Sequence, residues 1–219
     1  MKLNSFQLKW IAILTMLTDH IGAVLYPNIP VLRMIGRISF PIFCFLLVEG
    51  FFHTKDVCRY MIRLGIFALL SEIPYDLAFH GRILEFGHQN VFFTLALGVL
   101  FLYIAQEKRD VMIKIAEAFL IVWVAAKLRT DYSYRGIFLI AVYYFLREKK
   151  WLQLGAGAAW NFIYGFGQIQ NYGVLAAVPL ACYNGERGPK IKYFFYLFYP
   201  LHLLALYLIK SYCFNGNGL

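Results

Sequence analysis

A lysine and a histidine share one face of the first apolar segment of the chain. Lys9 and His20 are eleven residues apart, and at about 100° per residue a helix brings them back to within roughly 20° of each other. The rise of about 1.5 Å per residue separates them by roughly 16 Å along the axis. A single long ligand can therefore touch both residues, while Asp19 points about a quarter-turn away.

Other polar side chains recur at about the same depth in later apolar segments. Arg33 and Arg37 are four residues apart, so a helix places them side by side on one face. Glu72 and Asp76 repeat this spacing in a later segment. Counting inward from the polar connections predicts that these groups share one layer. The members of this layer are Asp19, His20, Arg37, Glu72, Asp76, Asn90 and His202.

The composition places these residues in a membrane protein. The chain has 219 residues, of which 61% are hydrophobic and 15% are charged, whereas a soluble domain has roughly 45–50% apolar and about 25% charged residues. The apolar runs are continuous and do not alternate with period two, which excludes a membrane β-barrel. We therefore expect an all-α bundle that forms a single transmembrane domain over residues 1–219.

The apolar runs predict nine membrane spans of about 20 residues or fewer. Most lysines and arginines fall on one side when the N-terminus is placed in the cytoplasm, as the positive-inside rule requires. The excess of basic residues, 21 Lys and Arg against 12 Asp and Glu, is thus explained by topology, and nucleic-acid binding is not expected. The predicted spans are residues 8–26, 32–52, 58–79, 89–106, 109–128, 132–146, 151–165, 171–183 and 191–210.

Charged groups inside spans have both functional and structural interpretations. Each costs roughly 2.5–3.5 kcal/mol on insertion scales and usually faces a cavity or a partner. Glu72 and Arg37 can neutralise each other as a buried ion pair, and His202 can be a packed core histidine. A transporter is one alternative function, although no inverted repeat supports it. A non-catalytic membrane assembly partner is another.

A basic patch is predicted at the cytoplasmic end of the bundle. Its members are Lys9, Lys55, Arg59 and Arg63. Such a patch suits a ligand that carries phosphate groups, although the positive-inside rule alone also explains it. No metal site is expected, because His80, Glu85 and His88 lack the fixed spacing of zinc ligands.

Short motifs recur along nearly the whole chain. The first is Lys9 followed by Asp19-His20-Ile-Gly, with ten residues between Lys9 and His20. The others are Arg33-x-x-Gly-Arg37-x-x-x-Pro41, Glu49-Gly-Phe, Arg63-Leu, Ser71-Glu72-Ile-Pro-Tyr-Asp76, Gln89-Asn90-Val-Phe-Phe-Thr94-Leu and Tyr199-Pro-Leu-His202-Leu. With these motifs the chain resembles the TraX family, which is named for the membrane enzyme that acetylates the N-terminus of conjugative pilin. That family belongs to a wider superfamily of transmembrane acyltransferases with a basic residue eleven positions before a histidine.

The resemblance implies acetyl transfer from cytoplasmic acetyl-CoA to an amine or hydroxyl acceptor at the membrane or its outer face. It implies a multi-pass protein of the bacterial inner membrane, whose partners are acetyl-CoA, the lipid bilayer and an acceptor. The resemblance does not identify the acceptor, which can be a protein N-terminus, a glycan or a small molecule. The predicted spans take up nearly the whole chain, so no separate domain is expected to recognise a pilin. By the same resemblance His20 is the catalytic histidine, Lys9 is the basic member of the motif, and Arg33 and Arg37 are the arginines that follow.

The chemistry of the layer then suggests a role for each residue. A neutral His20 can take the acceptor proton, with Asp19, Glu72 or another carboxylate fixing its tautomer, or it can itself be acylated. Arg37 or the amide of Asn90 can stabilise the developing oxyanion. The residues assigned to catalysis are His20, Asp19, Arg37 and Glu72; those assigned to acetyl-CoA are Lys9, Arg33, Lys55, Arg59 and Arg63; and those assigned to the acceptor are Asp76, Asn90 and His202.

Overall fold

The structure is a computed structural model that describes residues 2–189 and 191–214. In it, each of the nine predicted apolar runs contains helix. Met1, Lys190 and residues 215–219 of the predicted domain lie outside the described residues. The described residues form ten α-helices and no β-strand longer than an isolated bridge. The all-α prediction is therefore confirmed for this part of the chain.

The helices follow one another with short connections. In chain order they are α1 (Ser5–Val24), α2 (Pro30–Gly36), α3 (Ser39–His53), α4 (Val57–His80), α5 (Val91–Gln106), α6 (Val111–Lys127), α7 (Ser133–Phe145), α8 (Lys150–Tyr164), α9 (Ala177–Ala181) and α10 (Lys192–Ile209). A 3-10 helix, Ile169–Ala176, leads into α9, and a π-helical turn, Lys210–Phe214, follows α10.

Local sequence explains where the first helices begin and end. The Asn4 side chain caps α1 by accepting a hydrogen bond from the Gln7 backbone N–H, and the Gln7 side-chain oxygen accepts one from the Asn4 backbone N–H. The Asp56 side chain caps α4 by accepting a hydrogen bond from the Arg59 backbone N–H. Helix α4 ends at Gly81, whose φ of +68° is a left-handed conformation that glycine adopts without strain.

Two of the predicted spans are divided in the structure. The segment 32–52 breaks at residues 37–38 into α2 and α3. Pro41 does not interrupt a helix, because it lies in the first turn of α3, where its missing N–H costs no hydrogen bond. The segment 171–183 is likewise shared by the 3-10 helix and α9.

The connections between helices alternate between two ends of the bundle. At the end that holds the N-terminus, the Leu3 N–H donates to the Cys182 carbonyl at 2.8 Å. At the opposite end, the Gln89 N–H donates to the Arg129 carbonyl at 3.2 Å. We call these the mouth end and the far end. Helix α10 packs between α1 and α4, which brings the end of the chain beside its beginning.

Two segments of the described residues are long and apolar enough to cross a membrane by length and composition. They are Pro30–His53, which includes the break between α2 and α3, and Tyr193–Cys213. Residues Val91–Gln106 and Ile169–Ala181 form shorter apolar helices.

Candidate functional site

Two histidines from opposite ends of the sequence meet in the interior of the bundle. His20 lies on α1 and His202 on α10. The distance between His20 Nδ1 and His202 Nε2 is 2.6 Å. The two rings lie within 3° of parallel, and each residue is less than 10% exposed. The sequence predicts both residues in one layer, and the structure brings them into direct contact.

The hydrogen bonds of this histidine pair assign the tautomer of each ring. His202 Nδ1 lies 2.7 Å from the Phe198 carbonyl oxygen, which can only accept, so Nδ1 carries the proton. In a neutral His202, Nε2 is then an acceptor, and His20 Nδ1 must be the donor to it. This leaves the lone pair of His20 on Nε2. A neutral imidazole held in this tautomer is suited to accept a proton.

The carboxylate expected to fix this tautomer does not do so. Asp19 and Glu72 were both candidates, but the position at His20 Nδ1 is occupied by His202. Asp19 is directed elsewhere, because adjacent residues on a helix point about 100° apart. The His202 imidazole therefore fixes the tautomer of His20 in place of a carboxylate. His202 is itself held by its hydrogen bond to the Phe198 carbonyl.

A cavity of about 380 Å³ runs from the mouth end toward the histidine pair. Its inner part is lined by Met16, Val91, Phe92, Leu95 and Tyr199. Met16 lies one helical turn before His20 on the same face of α1. The ring of Tyr199 meets that of His20 edge to face, at 5.9 Å between centroids. The inner end of the cavity is therefore separated from His20 by a single layer of side chains.

The mouth of this cavity is basic. Lys9, Lys55 and Arg63 line it as predicted, together with Arg187. None of the salt bridges within residues 2–189 and 191–214 involves these four residues. Their positive charge is therefore not neutralised by a carboxylate in direct contact.

Two of the residues assigned to acetyl-CoA do not line the cavity. Arg59 is exposed and pairs with Asp56 at 2.9 Å, because it projects from the first turn of α4 toward the cap of that helix. Arg33 lies near the far end, where it pairs with Asp19. In this structure neither Arg59 of the predicted basic patch nor Arg33 lies with Lys9 in the lining of the cavity.

The carboxylate that lies closest to the mouth is held by other partners. Glu49 accepts from Arg147 Nε at 3.0 Å and from the Tyr183 hydroxyl at 3.2 Å. The Tyr183 hydroxyl is the donor in this contact, because an ionised carboxylate can only accept. The Ser5 hydroxyl lies 3.0 Å from Tyr183 and completes the contact between α1, α3 and the connection after α9.

A second group of charges forms a closed ion cluster on the far side of the histidine pair. The Asp19 carboxylate accepts from Arg33 at 2.7 Å and also from Arg37. Arg37 donates in addition to the Gln170 side chain at 3.2 Å. A β-carbon at Gly36 would lie about 2.1 Å from that of Asp19, so only glycine allows this close approach. We call Asp19, Arg33 and Arg37 the ion cluster.

The ion pair considered between Arg37 and Glu72 is absent from the described residues. Arg37 is used by Asp19, and Glu72 instead accepts from the Asn90 side-chain amide. That amide also donates to the Ala68 carbonyl at 2.8 Å. With both its hydrogens directed to α4, Asn90 holds the start of α5 against that helix and has no amide hydrogen left for an oxyanion.

Asp76 and several residues not predicted complete the far end. Asp76 accepts from the Glu85 backbone N–H at 2.7 Å and so fixes the connection after α4. Gln170 and Asp131 lie near Arg37, and neither was assigned a role. Gln170 lies on the 3-10 helix and Asp131 in the connection between α6 and α7, and both fall outside the predicted apolar runs. Tyr199 was also missed as a site residue, although its motif with His202 was recognised.

Sequence comparison with known families extends over this whole arrangement. The family described as TraX protein matches residues 5–210. The chain belongs to the TraX family. The match includes the histidine pair, the ion cluster and all four cations of the mouth.

Curated relatives of this TraX family member give a partial functional context. A protein of Dichelobacter nodosus named "Probable fimbrial assembly protein FimC, serogroup H1" is 32% identical over 232 residues, covering 93% of this chain and 94% of the relative. An uncharacterized protein of Rickettsia prowazekii (strain Madrid E), RP591, is 31% identical over 96 residues, covering 44% of this chain and 35% of the relative. No solved structure matches this chain.

Proposed function

We propose that this protein is a membrane-embedded acyltransferase that moves an acetyl group from acetyl-CoA to an amine or hydroxyl acceptor. The observation that carries the proposal is the tautomer of the histidine pair. His20 presents an Nε2 lone pair in the bundle interior, one layer of side chains beyond a cavity with a basic mouth. A general base beside an entry for an anionic cosubstrate is what acyl transfer requires.

The exposed surface supports a location inside a lipid bilayer. Large apolar side chains are exposed along the outer helices, and Leu69 of α4 and Phe119 of α6 are each 70% exposed. Soluble proteins rarely expose contiguous apolar surface of this kind. The alternation of connections between two ends fits nine passes through the bacterial inner membrane, with the mouth end in the cytoplasm.

The proposed reaction uses the His20 lone pair directly. The nitrogen or oxygen atom of the acceptor attacks the thioester carbonyl carbon with its lone pair. His20 Nε2 takes the proton from that atom as the new bond forms. The carbon–sulfur bond then breaks, and the proton passes from His20 to the CoA sulfur. The products are the acetylated acceptor and CoA. No metal is needed for this route, and His202 acts as a positioning residue for His20.

The mouth supplies a place for the nucleotide part of acetyl-CoA. Lys9, Lys55 and Arg187 face the cavity without a carboxylate partner, and phosphate groups are suitable ligands for such cations. The acetylated arm then extends inward toward His20. The 16 Å between Lys9 and His20 expected from helix geometry is a distance that a long, thin arm can span.

The acceptor is proposed as a class only. The Dichelobacter nodosus relative is named for fimbrial assembly, and this name also fits a membrane assembly partner that catalyses nothing. A transporter is the third class, since polar residues at depth also build transport pathways. These classes differ in what they do to a thioester, because only the enzyme consumes one.

The test is consumption of acetyl-CoA by the purified full-length chain in lipid nanodiscs. CoA release is followed with a thiol reagent in the presence of a mixture of amine and hydroxyl acceptors. We expect the wild type to release CoA in an acceptor-dependent manner. His20→Ala should lower this rate by about 10²–10⁴-fold, the range for loss of a general base. His88→Gln, which changes an exposed histidine of the far end, is the matched control.

Two outcomes would overturn the proposal. Release of CoA by His20→Ala at the wild-type rate removes His20 from the chemistry. Movement of a solute across the bilayer without loss of thioester would instead identify a transporter. The elution volume of each variant in size-exclusion chromatography verifies that it is folded.

A further inference from the structure

Tyr199 is a polar side chain at the inner end of the cavity. It lines the cavity, is only 3% exposed, and its ring centroid lies 5.9 Å from that of His20 and 5.7 Å from that of His202. Its neighbours in the lining, Met16 and Phe92, are apolar. A thioester that reaches His20 along this cavity must therefore pass beside Tyr199.

The first turn of α5 lies beside Tyr199 at the inner end of the cavity. Val91 and Phe92 both line the cavity, and the Phe92 ring meets that of Tyr199 edge to face at 5.3 Å between centroids. Val91 is the first residue of α5, and its N–H is one of those that have no partner within the helix. The Asn90 side chain caps the next N–H, that of Phe92, at 3.0 Å. The positive end of a helix thus lies beside Tyr199, which favours a negative charge that develops at this place.

We propose that the Tyr199 hydroxyl donates a hydrogen bond to the thioester carbonyl oxygen and stabilises the oxyanion that forms during acyl transfer. This inference rests on the proposed function. It gives the oxyanion role, for which Arg37 and Asn90 had been considered, to a residue outside the predicted set. Arg37 is held by Asp19 and Gln170, and the amide of Asn90 is held by α4. Tyr199 instead lines the path of the substrate.

The step leaves Tyr199 chemically unchanged. As the acceptor attacks, the carbonyl π electrons move to oxygen, and the hydrogen bond from Tyr199 strengthens because its acceptor becomes charged. When the carbon–sulfur bond breaks, the carbonyl re-forms and the hydrogen bond weakens again. The proton transferred to sulfur is the one held by His20, so Tyr199 gains and loses none.

The test compares Tyr199→Phe with wild type in the nanodisc assay. Phenylalanine keeps the ring that packs against His20 and removes only the donor. We expect kcat to fall by about 10²-fold or more, the usual cost of losing one oxyanion donor. The affinity for CoA, measured by calorimetry, should stay within twofold, because CoA has no carbonyl at that position. Tyr143→Phe removes a hydroxyl from a tyrosine that is equally buried but packs between α3, α7 and α8, and should keep the wild-type kcat.

The outcomes separate this inference from the proposed function. If wild type and Tyr199→Phe share one kcat while His20→Ala is inactive, the enzyme stands and the role of Tyr199 is refuted. If Tyr199→Phe loses CoA affinity in proportion to kcat, the residue shapes the cavity and is not an oxyanion donor. If the wild type does not consume acetyl-CoA at all, both proposals fail together.

Discussion

The ion cluster and the mouth both contain cations, but only the cations of the ion cluster are paired with a carboxylate. Arg33 and Arg37 share the buried carboxylate of Asp19. At the mouth, Lys55 and Arg187 line an open cavity, and Glu49 is already held by Arg147 and Tyr183. A cation with a fixed partner stabilises a fold, whereas a group of unbalanced cations attracts an anionic ligand. The same residue types therefore have different consequences at the two ends.

Breaking the ion cluster gives the largest effect on stability. In Asp19→Asn the two arginines lose the charge they share, and removal of one partner from a buried pair usually costs about 3–5 kcal/mol. We expect the lower end of this range, because the Arg33 side chain is 30% exposed. For about 3 kcal/mol in a chain of this size, the melting temperature should fall by about 6–12 °C, as measured by the intrinsic fluorescence of the detergent-solubilised protein.

Asp56→Asn is the matched control for this variant. Asp56 also pairs with an arginine, but the Arg59 side chain is 84% exposed, and asparagine caps a helix as well as aspartate does. Its melting temperature should stay close to that of wild type. Equal losses in both variants would mean that the two ion pairs do not differ in their contribution to folding.

The histidine pair offers the opposite result, a change in rate with little change in stability. His202→Leu removes the acceptor for His20 Nδ1–H and frees the His20 tautomer, so we expect kcat to fall by about 10²-fold. His202→Gln restores a side-chain oxygen acceptor and should recover most of that loss. Single-turnover CoA release measures the rate, and the melting temperature is recorded in parallel.

Recovery by glutamine is the result that a merely structural role cannot give. If leucine and glutamine lower kcat equally, the hydrogen bond to His20 does not matter for the rate. If leucine lowers the melting temperature as much as Asp19→Asn does, the histidine pair belongs with the ion cluster as a structural element.

The depth of the polar residues could be predicted from the sequence, but their pairing could not. Counting residues inward from the connections placed His20 and His202 in one layer because helical rise is uniform. Their hydrogen bond also requires α10 to pack beside α1, and the sequence does not indicate the order of the helices around the bundle. Arg37 illustrates the same limit. Its choice of Asp19 over Glu72 depends on the absence of a side chain at Gly36.

The segments between apolar runs limited the prediction of the site. Arg187 and Tyr183 contribute to the mouth from the connection after α9, and Gln170 reaches Arg37 from the 3-10 helix. No spacing rule relates such residues to a helix face, because their direction is fixed by contacts distant in sequence. The continuous apolar runs therefore predicted the positions of the helices, whereas nothing in the sequence indicated where the residues of the connections lie.

The smallest expected effect concerns individual cations of the mouth. Arg187→Gln and Lys55→Gln should each raise the KM for acetyl-CoA by about fivefold, or about 1 kcal/mol, since partly exposed charges contribute little individually. The loss should be smaller at high salt, which already screens these charges in the wild type. Arg59→Gln removes a positive charge close by but outside the cavity lining, and its KM should equal that of wild type. An equal rise in KM for Arg59→Gln would show that the mouth attracts acetyl-CoA through its total positive charge. Direct contact between the ligand and the cations that line the cavity would then be refuted.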